Sequence, residues 1–167
     1  PNEGPVLLWT FSGLGSGFGS PAVTQEAIYV NGMVDGEASL FAIDKNGNLL
    51  WKSAFGKEFV GEGYAGNFPG GRSTPTVFDN CVYTSSGLGH IACFNRHNGK
   101  LIWETDMISD WQGLPSQHGY AESLLVDAEK VYCLPGGDKN NVLAFDRLTG
   151  KTIWTSKAMN DTASYCS

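Results

Sequence analysis

Short apolar bursts separated by polar, glycine-bearing turns run along the chain, and one arrangement of them recurs three times. Leu40-Phe41-Ala42-Ile43-Asp44 leads through Gly47 to Trp51. Ile91-Ala92-Cys93-Phe94-Asn95 leads through Gly99 to Trp103, and Val142-Leu143-Ala144-Phe145-Asp146 through Gly150 to Trp154. Upstream of each stands a further pair of β-prone runs. Ser20-Pro21-Ala22-Val23 precedes Ala27-Ile28-Tyr29-Val30; Thr74-Pro75-Thr76-Val77 precedes Cys81-Val82-Tyr83-Thr84; Ser123-Leu124-Leu125-Val126 precedes Lys130-Val131-Tyr132-Cys133. Each copy therefore predicts four short strands joined by turns, and a fixed repeat of this kind is the signature of an array of small units.

Four antiparallel strands per unit is the blade of an all-β propeller. The spacing predicts blades over 19–56, 72–107 and 121–158, within a single partial propeller covering 1–167. Residues 5–11, with Trp9, read as an outer strand of a neighbouring blade, and 163–167 as the first strand of the next. About three complete blades do not close a ring. The chain is therefore expected to be a fragment of a 7- or 8-bladed ring, or to associate head-to-tail with copies of itself.

The turn between third and fourth strands has a stated chemistry. Asp44, Asn95 and Asp146 open it with a side chain that can cap backbone N–H groups, and Gly47, Gly99 and Gly150 supply a positive φ. The first copy is one residue shorter, so its turn should differ. Trp51, Trp103 and Trp154 then fall on the outermost strand, where a flat ring can stack on the neighbouring blade's turn. Because these acids recur at one place in the unit, they read as structural rather than as calcium ligands or catalytic acids.

Composition narrows the function classes. Twenty-two glycines and only 17% charged residues suit a turn-rich β protein. The net charge of -6, with eleven scattered Lys and Arg, argues against a nucleic-acid partner. No run approaches the roughly 18 apolar residues of a membrane span. The N-terminus carries no signal-peptide pattern and no initiator Met, which leaves the compartment undetermined by the sequence. Cys81, Cys93, Cys133 and Cys166 lack metal-ligand spacing, so no metal site is read. Cys81 and Cys93 could pair across a hairpin or could be small buried hydrophobes.

Ala144, Asp146, Thr149, Gly150 and Trp154 resemble the quinoprotein-type repeat, Ala-x-Asp-x-x-Thr-Gly-x-x-x-Trp. The second copy keeps Gly99 and Trp103 and substitutes Cys93, Asn95 and Asn98. The phrases Gly119-Tyr120-Ala121-Glu122-Ser123 and Leu134-Pro135-Gly136-Gly137 are similar to bacterial secreted PQQ-binding-like β-propeller repeat proteins. Members of that family include BamB-like assembly factors and polyvinyl-alcohol dehydrogenases. The resemblance implies a periplasmic or secreted protein. It also raises the possibility of PQQ and Ca²⁺ on the propeller axis of the intact protein, although no cofactor is evident in this segment. Neither the vicinal Cys–Cys pair nor the calcium shell that many quinoprotein dehydrogenases use is legible in it.

In a propeller, the blade-to-blade connections and the second-to-third loops emerge on one face. The long connections 57–71 and 108–120, with loops 31–38, 85–90 and 134–141, make that face the expected binding side. Its candidate residues are Arg72, Trp111, His118, Tyr120, Glu122 and Asp138. Arg72 and Glu122 stand at inner-strand entries and read either as a polar clamp toward the channel or as a blade-to-blade salt bridge. His118 reads as a general base or a solvated loop residue, and Trp111 as a stacking platform or a lid. The leading expectation is a binding or scaffold module for a protein, glycan or small ligand. A PQQ-dependent alcohol dehydrogenase, and polysaccharide hydrolysis or cleavage using His118, Tyr120 and Glu122, are the alternatives.

Overall fold

The computed structural model describes residues 4–156 and 161–163. Among them, three four-stranded antiparallel sheets follow one another, each with its strands in sequential order. The first holds β1 (Ala22–Val23), β2 (Ala27–Val34), β3 (Glu37–Asp44) and β4 (Leu49–Lys57). The second holds β5 (Thr76–Phe78), β6 (Cys81–Ser85), β7 (His90–Asn95) and β8 (Leu101–Asp106). The third holds β9 (Leu125–Val126), β10 (Lys130–Cys133), β11 (Leu143–Asp146) and β12 (Thr152–Thr155). These are propeller blades, and the chain is a segment of a larger propeller.

The second blade is buried on both faces at its middle strands, because a blade packs against each of them. Tyr29, Leu40 and Phe55 of the first blade meet Val82, Ala92 and Phe94 of the second. Tyr83, Ile91, Cys93 and Trp103 of the second meet Val131, Leu143 and Phe145 of the third. The alternation of side chains along a strand assigns each residue to one joint or the other.

One irregularity repeats in all three blades. The ladder between third and fourth strands slips by a residue between Ala42 and Ile43, between Cys93 and Phe94, and between Ala144 and Phe145. A bulge bends its strand and re-aims the side chains beside it. Here it sets Trp51 opposite Ala42, Trp103 opposite Cys93 and Trp154 opposite Ala144.

Two expectations need correction, and the open alternative for Cys81 and Cys93 resolves to small buried hydrophobes. Residues 31–38 are not a loop: β2 and β3 run on to a two-residue turn at Asp35 (φ 54) and Gly36 (φ 78). Asn31 extends the strand by donating its amide to the Ser73 carbonyl (3.1 Å), and Gly32 permits the Leu14 carbonyl to approach where a Cβ would stand 1.9 Å away. Residues 5–11 form no ladder, although Trp9 is anchored. Cys81 and Cys93 are buried free thiols whose register is diagonal, Cys81 opposite Asn95 and Cys93 opposite Tyr83. Burial pushes the Cys93 thiol above its ordinary value. Cys133 is also free and buried. Cys166, and the strand expected at 163–167 apart from Ala163, lie outside the described residues.

Candidate functional site

The joints fix the face that can bind. The Trp51 indole N–H donates to the Arg96 carbonyl at 2.9 Å, and the Tyr29 hydroxyl reaches the same oxygen at 3.2 Å. At the next joint, Trp103 (2.9 Å) and Tyr83 (3.1 Å) converge on the Arg147 carbonyl. Each ring also covers a glycine. A Cβ on Gly99, whose φ is +69, would lie 2.6 Å from the Trp51 ring. Ion pairs Arg96–Glu26 (3.0 Å) and Arg147–Asp79 (2.6 Å) cross the same two joints. Trp9 donates to the Lys45 carbonyl at 2.7 Å in the equivalent place on the first blade.

Asp44, Asn95 and Asp146 act inside their own turns. Asp146 Oδ1 accepts from the Thr149 N–H at 2.8 Å and from its hydroxyl at 2.7 Å, and these bonds lower its pKa. Asn95 Oδ1 accepts from the His97 N–H (3.0 Å). In the shorter first turn Asp44 Oδ1 accepts from the Asn46 and Asn48 N–H groups, both at 2.8 Å. There Gly47 donates to a carbonyl three residues back, whereas Gly99 and Gly150 reach four back.

On the opposite side the connections and second-to-third loops interlock. Tyr120 N–H donates to the Gly87 carbonyl, Gly70 N–H to that of Phe59, and Leu114 N–H to that of Pro135. Beneath them runs a buried polar chain that crosses all three blades. Thr84 donates to Asn31 (2.8 Å), Asn31 to Ser73 (2.9 Å), Ser73 to the Ser85 carbonyl (2.6 Å), and Ser85 to the Glu122 carbonyl (2.9 Å). Satisfied buried polar groups of this kind fix geometry rather than present it to solvent.

Two buried carboxylates on this face belong to the same wall. Glu122 is buried and accepts from the Leu134 N–H at 2.9 Å. Burial pushes its pKa up to about 7. Glu58, which sequence reasoning missed, is equally enclosed and accepts from the N–H groups of Phe59 (2.7 Å) and Gly87 (2.6 Å). Burial raises its pKa as well, opposed by those two bonds and by the nearby Arg72 charge.

Arg72 and Glu122 form neither a salt bridge with each other nor a clamp. Ser73, not Arg72, holds the register place of Glu122, counting back from Val77 and Val126 in the paired inner strands. The Arg72 guanidinium donates to the carbonyls of Gly70 (3.0 Å) and Phe68 (2.5 Å) and lies over the rings of Phe59 (4.9 Å) and Phe18 (5.7 Å). Tyr120 is buried, with its hydroxyl on the Pro135 carbonyl (2.8 Å). Trp111 stacks edge-on against Phe145 at 5.6 Å and bonds Thr105, so it lids the blade beneath. His118 is half-exposed beside Gln117, and Asp138 is exposed on the 134–141 loop.

What the face does present is aromatic. Phe18 (60% exposed) lies beside Arg72, and Tyr64 (74%), Val60 (56%) and Phe68 (40%) of the 57–71 connection are also exposed. Phe68 meets Phe18 at 6.2 Å and Tyr64 at 5.4 Å, each tilted by 61°. Contiguous exposed apolar surface of this kind is a common feature of interaction sites. Among the described residues, no three His, Cys, Asp or Glu side chains gather to hold a metal. Glu58 and Glu122 each spend one carboxylate oxygen on backbone amides.

A family model described as outer membrane protein assembly factor BamB matches residues 36–167. The chain belongs to this BamB family of PQQ-like repeats. A BamB relative from Kangiella koreensis is 26% identical over 140 residues, covering 84% of this chain and 32% of its own length. The chain therefore spans about a third of that relative. The crystal structure of BamB from Moraxella catarrhalis superposes with a TM-score of 0.58 at 23% identity, over 93% of this chain and 42% of that one. Quinohemoprotein alcohol dehydrogenase from Comamonas testosteroni gives 0.64 at 18% identity, over 92% and 23%. Similarity at that identity shows the shared propeller and nothing of the dehydrogenase chemistry.

Proposed function

We propose that the protein carrying these blades is an extracytoplasmic scaffold, periplasmic or secreted, that holds a partner protein on its loop face during outer-membrane assembly. The carrying observation is the division of labour on that face. Its buried carboxylates and its arginine are committed to backbone groups, while Phe18, Val60, Tyr64 and Phe68 stand in water. Acid–base chemistry needs an ionisable group within reach of a substrate. An apolar rim of rings instead suits a protein surface. The rings meet edge to face in one cluster. The dehydrogenase reading rests only on the shared fold.

The test uses the full-length protein. A photo-crosslinking group at Tyr64 should capture a protein partner in cells. Tyr64→Asp with Phe68→Asp should lower the amount of folded outer-membrane β-barrel protein. Reduction of an artificial electron acceptor by the full-length protein with PQQ, Ca²⁺ and an alcohol, with no crosslink formed, would overturn the reading in favour of the dehydrogenase.

A further inference from the structure

Three Asn–Gly pairs stand in the chain, at Asn31-Gly32, Asn46-Gly47 and Asn98-Gly99. Asparagine is thermolabile, and most so before glycine, because no Cβ shields the following backbone nitrogen from the carboxamide. Two of the pairs occupy the turn between third and fourth strands, where the third blade has Thr149-Gly150 instead. The structure holds the three pairs differently.

Asn31 is buried and its carboxamide is spent. Its Nδ2 donates to the Ser73 hydroxyl (2.9 Å) and its Oδ1 accepts from Thr84 (2.8 Å). Asn98 is exposed, but its peptide is pinned. Asn98 Oδ1 accepts from the Lys100 N–H at 3.0 Å, the Gly99 N–H donates to the Asn95 carbonyl at 2.9 Å, and the Gly99 carbonyl accepts from the Ser53 hydroxyl at 2.7 Å. The Trp51 ring lies over Gly99, which is buried. Asn46 is exposed too, and among the described residues its carboxamide makes no hydrogen bond; Asp44 alone caps that shorter turn. The Gly47 N–H reaches the Asp44 carbonyl at 3.1 Å. Phe11 follows Trp9 at the spacing by which Ser53 follows Trp51, so the hydroxyl that holds the Gly99 carbonyl has no counterpart here. Trp9 stands over Gly47 as Trp51 stands over Gly99, so the docking ring is in place at both turns.

We propose that Asn46-Gly47 is a site of spontaneous deamidation in the folded protein, and that the joint between the first and second blades protects the equivalent Asn98-Gly99. The Gly47 nitrogen forms a bond to Asn46 Cγ and the Cγ–Nδ2 bond breaks; the displaced nitrogen leaves as ammonia, carrying the proton that Gly47 gave up. Water then opens the cyclic imide at one carbonyl or the other, which leaves aspartate or isoaspartate at position 46. Nothing is oxidised or reduced. At Asn46 only the turn bond of the Gly47 N–H has to give way. The same step at Asn98 must also release Lys100, Ser53 and Trp51, so it waits on a local opening of the joint. The isoaspartyl form adds a carbon to the main chain of the turn on which Trp9 is anchored, so the lesion falls on one of the fastenings of the array.

The measurement is peptide mapping by mass spectrometry of the full-length protein after incubation at mildly alkaline pH, with isoaspartyl methyltransferase labelling to mark the rearranged product. In the folded protein Asn46 is expected to convert at least about tenfold faster than Asn98, the ratio that about 1.4 kcal/mol of extra opening cost gives. Asn31 is expected to stay intact. In urea the three pairs should convert at similar rates, since only the sequence around each then acts. Ser53→Ala and Trp51→Ala should each raise the Asn98 rate toward that of Asn46; Ser53→Ala removes one hydroxyl and keeps the test open if the larger change unfolds the protein. Asn98 converting as fast as Asn46 in the folded protein overturns the protection, and the same tenfold ratio in urea does so too, by tracing it to neighbouring residues. Asn46 staying intact in the folded protein while it converts in urea overturns the site.

Discussion

Trp103 and Trp154 sit at the same register position beside the same bulge, yet one is 8% exposed and the other 40%. The Trp103 ring lies between Tyr83 and Phe145, at 6.1 and 6.2 Å, with its N–H on the Arg147 carbonyl. Trp154 rests on Tyr132 of its own blade at 6.0 Å. The comparison teaches that a blade orients its tryptophan but does not bury it. Burial comes from the next unit, as nearest-neighbour interfaces supply stability in repeat arrays.

Truncating the two rings should separate the cases most widely. Trp103→Ala should cost about 3–5 kcal/mol, as for a large buried aromatic. Trp154→Ala should cost about 1 kcal/mol, since much of its area already faces water. Urea denaturation of the folded chain measures both, and equal losses would end the comparison.

Glu122 gives the next effect, through pH. Its folded pKa of about 7 lies above the ordinary 4.5, because burial disfavours the carboxylate. The folded state therefore holds its proton longer than the unfolded state. The contribution is fully present below about pH 4.5, falls as pH rises toward 7, and is lost above that. Glu122→Gln should flatten that slope and leave the variant the more stable above pH 7, by up to about 3 kcal/mol. Denaturation midpoints at about pH 4 and pH 8, on either side of that fall, test this, and an unchanged slope would refute it.

Gly99→Ala comes third. Its positive φ and the Trp51 ring 2.6 Å from the added Cβ should together cost about 1–3 kcal/mol. Gly36→Ala has positive φ but open space around it, so it should cost only the backbone part, about 1 kcal/mol. The smallest contrast is between two hydroxyls. Tyr83→Phe breaks the bond to Arg147 at a closed joint and should lose about 1 kcal/mol. Tyr132→Phe, with an exposed bond inside its own blade, should lose a few tenths at most.

Much of the fold is legible in the sequence because its signals are local. Alternating apolar runs, an Asx a few residues before a strand, and a glycine four before a tryptophan each act within one turn. The candidate site is legible only as a face. Trp111 falls on the correct loop, but its role as a lid depends on Phe145, far along the chain. Charge alone suggests Glu122 as the partner of Arg72. Its actual partners are two carbonyls of its own loop and two phenylalanine rings. Glu58 gives no signal at all, since nothing in Phe55-Gly56-Lys57-Glu58-Phe59 marks a carboxylate that will cap a backbone amide of the next blade. The aromatic patch escapes notice for a similar reason: Phe18 and Phe68 are far apart in sequence and meet only when the entry segments pair at Gly17 and Gly71.

The sequence by itself determined the strand count per unit, the direction of the repeats and the residues that fasten them, because side-chain alternation and turn stereochemistry need only near neighbours. Tertiary structure alone decided which carbonyl each tryptophan reaches, which carboxylates are dehydrated and which rings stay in water. Those depend on contacts between blades, and the free energy of a buried charge or an exposed ring is set by what surrounds it in space.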